Sequence, residues 1–216
     1  MINEYNDILI SPQLRDCPTI NPSIKLGILA SGKGSNFEQI LKCCKSQLNA
    51  KVIHLITNNE DCGAVYIAKK YNIPYSILDH KKFNTREEYD RSIIKIFRDN
   101  GIEIIVMAGW MRIVTSLLIN EFSKRIINIH PSLLPSFKGT NSVEQALENN
   151  VKITGCTAHI VEEEVDSGKI LIQGAVTIDE SDDKYSLQKK IQHVEHMILY
   201  KAVAIAASEW RENCYG

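Results

Sequence analysis

The sequence has no run of about 18 apolar residues, the length a membrane-spanning helix needs, so none is predicted. Its start, MINEYNDILISPQLRDCPTINPSIK, lacks a basic opening and carries only a short apolar patch at Ile8–Ile10. That fails as an export signal. No CxxC pair occurs among Cys17, Cys43, Cys44, Cys62, Cys156 and Cys214. The adjacent Cys43 and Cys44 suit neither a common disulfide nor a zinc knuckle. The expectation is therefore reduced thiols in a cytoplasmic protein. There is no HExxH, and although His193 and His196 stand three apart, no Cys cluster lies beside them. No metal site is expected. GxSxG is also missing, which leaves a serine nucleophile unsupported, and Cys156, inside a predicted strand, reads as core. There is no basic excess: 25 Lys and Arg face 26 Asp and Glu, a net charge of −1. That argues against a dedicated nucleic-acid binder but leaves a local anion site open.

What is present is enough for one well-buried domain: 216 residues, 44% of them hydrophobic and 24% charged. Residues 1–24 stand apart, with Pro12, Pro18 and Pro22 and no hydrophobic period. They read as an extension, partly disordered or draped on the surface. From Lys25 the pattern alternates. LGILA (26–30), KVIHLITN (51–58), IPYSILD (73–79) and IEIIVMAGW (102–110) are strand candidates. Between them, residues 37–47, 61–72 and 86–101 have helical spacing. The last of these places Tyr89, Ile93, Ile94 and Phe97 on one face and ends at Gly101, a C-terminal cap. Strand and helix in alternation predict an α/β fold with a mostly parallel sheet and helices on both faces. Residues 142–150 continue as a helix. The runs 154–163 and 169–178 are close enough for an antiparallel pair, and 183–212, beginning near Ser181 or Asp182, is one long C-terminal helix. In such sheets ligands bind outside the carboxyl ends of the strands.

Three segments could carry chemistry. SGKGSN (31–36) joins a strand to a helix, where glycines and free N–H groups can hold a phosphate. It is neither a Walker A loop nor GxGxxG, since Phe37 takes the third glycine's place. An ordinary turn capped by Ser35 or Asn36 accounts for it equally well. In NIHPSLLP (128–135), Asn128 and His130 are two apart. On a strand they share a face, and Pro131 ends the ladder. An amide donor beside an imidazole suits acyl transfer, where a carbonyl oxygen gains negative charge; a structural histidine is the competing reading. In HIVEEEVDSG (159–168), Glu162, Glu163 and Glu164 read as a solvated face. Asp166 enters a Gly-containing turn and could orient an imidazole and favour its protonated form.

With ILASGKGSN (28–36), AGWMRIV (108–114), NIHPSLLPSFKG (128–139), GCTAHIVEEEVDSGKIL (155–171) and VEH (194–196), the chain resembles the phosphoribosylglycinamide formyltransferase family, from about Lys25 to about Trp210. The resemblance implies a Rossmann-like fold and a formyltransferase domain over 25–216. It implies 10-formyltetrahydrofolate as co-substrate, glycinamide ribonucleotide as acceptor, and a monomer or homodimer without metal, membrane or nucleic-acid partner. By residue, it makes Asn128, His130 and Asp166 catalytic, with Asp166 orienting His130. Gly34, Ser35, Asn36, Gln192 and Glu195 would bind the ribonucleotide. Arg86, Met111, Arg112, Ile113, Val114, Asn128 and the segment Glu162, Glu163, Glu164, Val165 and Asp166 would bind the folate. Val143 stands where several relatives have histidine.

Rival readings are distinguishable. A methionyl-tRNA formyltransferase usually adds a C-terminal RNA-binding domain and would need a basic footprint. A formyltetrahydrofolate hydrolase normally carries an N-terminal regulatory domain, and 24 residues are too few for one. A non-catalytic folate or nucleotide sensor has no need of all three catalytic residues. A nicotinamide dehydrogenase lacks its third glycine.

Overall fold

The computed structural model describes residues 8–13 and 18–215, with side chains to residue 212. The strands are β1 (Leu9–Ser11), β2 (Ile24–Leu29), β3 (Ala50–Thr57), β4 (Tyr75–Ile77), β5 (Ile104–Met107), β6 (Ile126–His130), β7 (Ile153–Ile160) and β8 (Ile170–Thr177). The α-helices are α1 (Ser35–Cys43), α2 (Gly63–Lys70), α3 (Arg86–Asp99), α4 (Ser116–Glu121), α5 (Ser142–Glu148) and α6 (Lys184–Tyr215). All eight strands form one sheet in the order β1-β8-β7-β6-β5-β2-β3-β4. From β4 to β6 neighbours run parallel; β7 is antiparallel to β6, β8 to β7 and β1 to β8.

β5 shows why the sheet sits between two layers. All four of its residues are buried, as a strand covered on both faces must be. Ile104 and Val106 face the layer built by α1, α2, α5 and α6, while Ile105 and Met107 face α3 and α4. Alternation along one strand thus feeds two cores. α3 starts where its sequence says it should. Thr85 Oγ1 accepts from the Glu88 N–H at 3.1 Å, and the Glu88 carboxylate accepts from the Asn84 N–H at 3.0 Å. Gly101 follows its end. α6 lays Leu187, Ile191, Val194 and Ile198 against β7 and β8. It comes so close at Gly174 that a Cβ there would stand 2.2 Å from Val194 Cγ1.

Several elements depart from the sequence expectations. The described residues before Lys25 are not merely draped over the surface. Leu9–Ser11 pair with β8, and Ile20 is buried, its carbonyl accepting from Asn49 Nδ2 at 2.8 Å. The expectations for residues 1–7 and 14–17, Cys17 among them, lie outside the described residues. α1 stops at Cys43 rather than continuing to residue 47, because the N–H groups of Ser46, Gln47 and Leu48 all fold back onto the Cys43 carbonyl. The six-residue α4 was not predicted; among its residues only Leu118 is fully buried, too little to set a period. Among the described residues no helix is long and apolar enough to cross a membrane.

Candidate active site

The carboxyl ends of β2, β5 and β6 lie side by side, since β2 pairs with β5 and β5 with β6. Each releases one of the segments singled out in the sequence. After β2 the chain turns through residues 31–34 into α1. The helix is capped by Gly34, at φ 80°, not by the Ser35 or Asn36 side chain. A β-carbon at Gly34 would stand 2.9 Å from Ala64 Cα, so both conformation and space demand glycine. Because neither Ser35 nor Asn36 caps the helix, both side chains reach α6. Ser35 Oγ accepts from Gln192 Nε2 at 2.9 Å, and Asn36 Nδ2 donates to Glu195 Oε2 at 2.8 Å. The other Asn36 atom, Oδ1, is buried without a hydrogen-bond partner. Burial pushes the Glu195 carboxyl up to about 7, against the opposing pull of the Asn36 amide. All five residues assigned by resemblance to the ribonucleotide therefore stand together. Cys156, fully buried, has its thiol pushed well above the ordinary value by burial and by the nearby Glu195 charge, which suits a core residue.

β6 delivers Asn128 and His130. Across the ladder β7 sets His159 opposite Asn128 and Thr157 opposite His130. The 161–169 loop returns Asp166 to the same place. That return depends on a backbone approach at Gly168, where a Cβ would stand 1.9 Å from the Ile160 carbonyl oxygen. Asp166 itself has φ 52°. Its carboxylate is shared. Oδ2 accepts from the Gly139 N–H at 2.9 Å and lies 3.3 Å from His130 Nδ1. Oδ1 lies 3.5 Å from both His159 Nε2 and Asn128 Nδ2. Burial raises the Asp166 pKa, but the His159 hydrogen bond, the Gly139 N–H and the His130 charge outweigh it and leave the carboxyl below its ordinary value.

The two imidazoles can be read from their neighbours. His130 Nε2 lies 2.8 Å from the Phe137 carbonyl, which can only accept, so Nε2 carries a hydrogen. The other nitrogen faces a carboxylate. Both ring nitrogens thus meet acceptors, an arrangement suited to the doubly protonated ring. His159 Nδ1 lies 2.9 Å from the Ile160 carbonyl and so carries a hydrogen, and Nε2 lies between Asp166 Oδ1 at 3.5 Å and Asn128 Nδ2 at 3.2 Å. His159 and the Phe137 carbonyl were not foreseen. His159 was within reach of sequence reasoning, because Thr157 and His159 alternate with Cys156, Ala158 and Ile160 in an otherwise apolar strand. A backbone carbonyl leaves no such signal.

After β5 the chain presents Met111 and Ile113 to solvent, 80% and 57% exposed, and buries Val114. Arg112 lies over the Tyr89 ring, 5.5 Å from its centroid. The segment is pinned at both ends. The Met111 N–H donates to Ser31 Oγ at 3.1 Å, and buried Asp90 accepts from the Thr115 N–H and Oγ1 at 2.6 and 2.8 Å. Arg86 is exposed at the first turn of α3. Glu162, Glu163, Glu164 and Val165 are exposed, and Glu164 accepts from Lys138 Nζ at 2.9 Å, tying this loop to the segment after β6. Val143 is buried in α5. Among the described residues no group of three or more His, Cys, Asp or Glu is arranged to hold a metal ion.

An amide, an imidazole and a carboxylate at the end of a parallel strand, beside a helix-start turn, have the arrangement that acyl transfer on an α/β sheet calls for. The family model described as formyl transferase matches residues 24–203, and the chain belongs to that family of formyl-transferring enzymes. It is 35% identical over 186 residues to the trifunctional purine biosynthetic protein adenosine-3 of Gallus gallus, covering 86% of this chain and 18% of that protein. The chain thus spans a fifth or less of the length of such curated relatives. Among solved structures it is similar to phosphoribosylglycinamide formyltransferase from Bacillus halodurans, with a TM-score of 0.81 and 40% identity over 83% of this chain and 93% of that one. It is also similar to glycinamide ribonucleotide transformylase 1 from Symbiobacterium toebii, with a TM-score of 0.85 and 34% identity over 87% and 89%.

Proposed function

We propose that this chain transfers the formyl group of 10-formyltetrahydrofolate to the amine of glycinamide ribonucleotide, a step of purine biosynthesis, and that residues 25–216 form the catalytic domain behind an N-terminal extension. The observation that carries the reading is the convergence of Asn128, His130 and Asp166 between two pinned segments, the Gly34–Asn36 turn and the Met111–Val114 lip.

The ribonucleotide's phosphate takes the free N–H groups at the start of α1, with Gly34, Ser35 and Asn36 around it. Gln192 and Glu195 reach its ribose end. A carboxyl held near neutrality by burial can donate to a hydroxyl and does not repel a neighbouring phosphate. The folate lies on the lip of Met111, Arg112, Ile113 and Val114, with Arg86 beyond it and residues 162–166 over the ring.

The substrate amine attacks the formyl carbon, forming the new C–N bond. The carbonyl oxygen becomes an oxyanion, stabilised by the Asn128 amide and the positive His130 ring. The bond to the folate nitrogen then breaks, as the proton released by the attacking amine passes to that nitrogen with the assistance of His130. Asp166, an anion throughout, keeps the ring oriented and charged. No covalent enzyme intermediate is formed; the protein places two substrates and stabilises charge. We assign the reaction to the cytoplasm, a reading supported by the reduced thiols of Cys44, Cys62 and Cys156, and to a monomer or homodimer.

The test is a spectroscopic formyl-transfer assay with and without glycinamide ribonucleotide. Turnover that requires the ribonucleotide is expected. Turnover to water alone would make the chain a hydrolase. No turnover, with both ligands bound, would make it a sensor.

A further inference from the structure

Thr157 on β7 and Gln173 on β8 are paired across the sheet, in the same row as His130 on β6. Thr157 is fully buried and Gln173 half-buried. Their side chains grip the backbone that follows His130. Thr157 Oγ1 donates to the Ser132 carbonyl at 2.7 Å and accepts from the Leu134 N–H at 3.0 Å. Gln173 Nε2 donates to the Leu134 carbonyl at 3.0 Å and to Thr157 Oγ1 at 2.9 Å. The hydroxyl has one hydrogen and two lone pairs, and all three are used. The Gln173 amide has two hydrogens, and both are used. Only one arrangement satisfies the set. Two further hydroxyls hold the same loop: Ser142 Oγ donates to the Pro131 carbonyl at 3.2 Å, and Ser132 Oγ to the Ser136 carbonyl at 2.5 Å.

The loop then returns to its origin. Phe137, at φ 54°, turns its carbonyl onto His130 Nε2. Burying a polar pair between strands is costly unless its hydrogen bonds are made. Here these donors are spent on residues 132–134, and what they fix is the path from His130 to the carbonyl that holds its ring.

We propose that Gln173 is a positioning residue for the transfer reaction. Acting through Thr157 and the Leu134 carbonyl, it sets the course of residues 131–137 and so the point from which Phe137 orients His130. This rests on the reading of His130 as the acid–base residue. A displacement of about an ångström at a reacting group can cost up to about 100-fold in rate, so partial loosening of the loop should be visible in turnover.

Gln173→Met keeps the side-chain length and removes both donors; Thr157→Val removes the hydroxyl at nearly constant shape. Two readouts are needed: steady-state formyl transfer, and the ring nitrogen NMR signals of His130 in protein labelled with 15N-histidine. Each variant should lower kcat by about 10-fold, with KM for both substrates within about twofold of the parent, and should shift the His130 ring signals. The double variant should be no slower than the slower single variant, because both act at one hub. Parent-like kcat in Gln173→Met, unchanged ring signals, or losses that multiply in the double variant would overturn the proposal. Should Gln173→Met fail to fold, Thr157→Val carries the same two readouts. Parent-like turnover of His130→Ala would instead sink the acid–base reading, and the ring signals of Gln173→Met would still judge the loop separately.

Discussion

The two ends of the site handle burial in opposite ways. Around β6 the Asp166 carboxylate and the His130 ring meet complements. Asp166 takes the Gly139 N–H, the Asn128 amide and two imidazoles, and His130 is held between that carboxylate and the Phe137 carbonyl. Around the α1 turn the accounting is left open: Asn36 Oδ1 has no partner, and the carboxyl of Glu195 is raised to about 7 by its own desolvation. The closed network holds charge in place, as needed where charge develops during reaction. The open one keeps a buried acid close to neutral and an acceptor unspent, as needed where a ligand supplies the missing partner. On the proposed reading, one sheet carries a region prepared for the transition state beside a region prepared for binding.

The sharpest break of that contrast is His130→Ala. It should lower turnover by on the order of 100-fold or more, with a much smaller change in the affinity of either ligand. Steady-state kinetics checks it; near-normal turnover would remove His130 from its role. Asp166→Asn comes next, with a loss of about 10-fold or more. Ligand binding should persist, since the loss falls on the orientation of His130. Parent-like kcat with parent-like KM would contradict the orienting role. On the binding side, Gly34→Ala forces a β-carbon against Ala64 and a left-handed backbone on alanine. It should raise KM for the ribonucleotide by about 10-fold, roughly 1.4 kcal/mol, and leave the folate within about twofold. Equal losses for both ligands would put the phosphate elsewhere.

The smallest effect is thermal. Glu195 has its folded pKa raised from 4.5 to about 7. Its neutral form favours the fold below pH 4.5, and that contribution is lost as pH rises through about 7. The unliganded parent should therefore lose Tm between pH 5 and 8 in a step that Glu195→Gln lacks. Parallel Tm curves would mean that the carboxyl is already ionised.

Much of this was legible beforehand because it is local. β5 announces itself as an unbroken apolar run. α3 shows its apolar face and following glycine, and Asn128 and His130 share a face because a strand repeats every two residues. The rest depends on distant partners. The first-turn side chains of α1 looked like caps until α6 offered Gln192 and Glu195, more than 150 residues away, and Gly34 took over the cap. His159 joins the site only because β7 runs antiparallel to β6 in one particular register. β1 has three residues and no hydrophobic period of its own; it is a strand because β8 presents an unpaired edge.

That last pairing orders events in time. Ile10 meets Gly174, so the strand built from residues 9–11 has nothing to dock on until β8 is made. On the ribosome these residues precede β8 by more than a hundred and fifty positions, and they must wait for it before they can join the sheet. Closing so long a loop contributes nothing early in folding. With only three residues of ladder to hold it, the strand is also the natural first place for the native sheet to open, ahead of any strand that carries the chemistry.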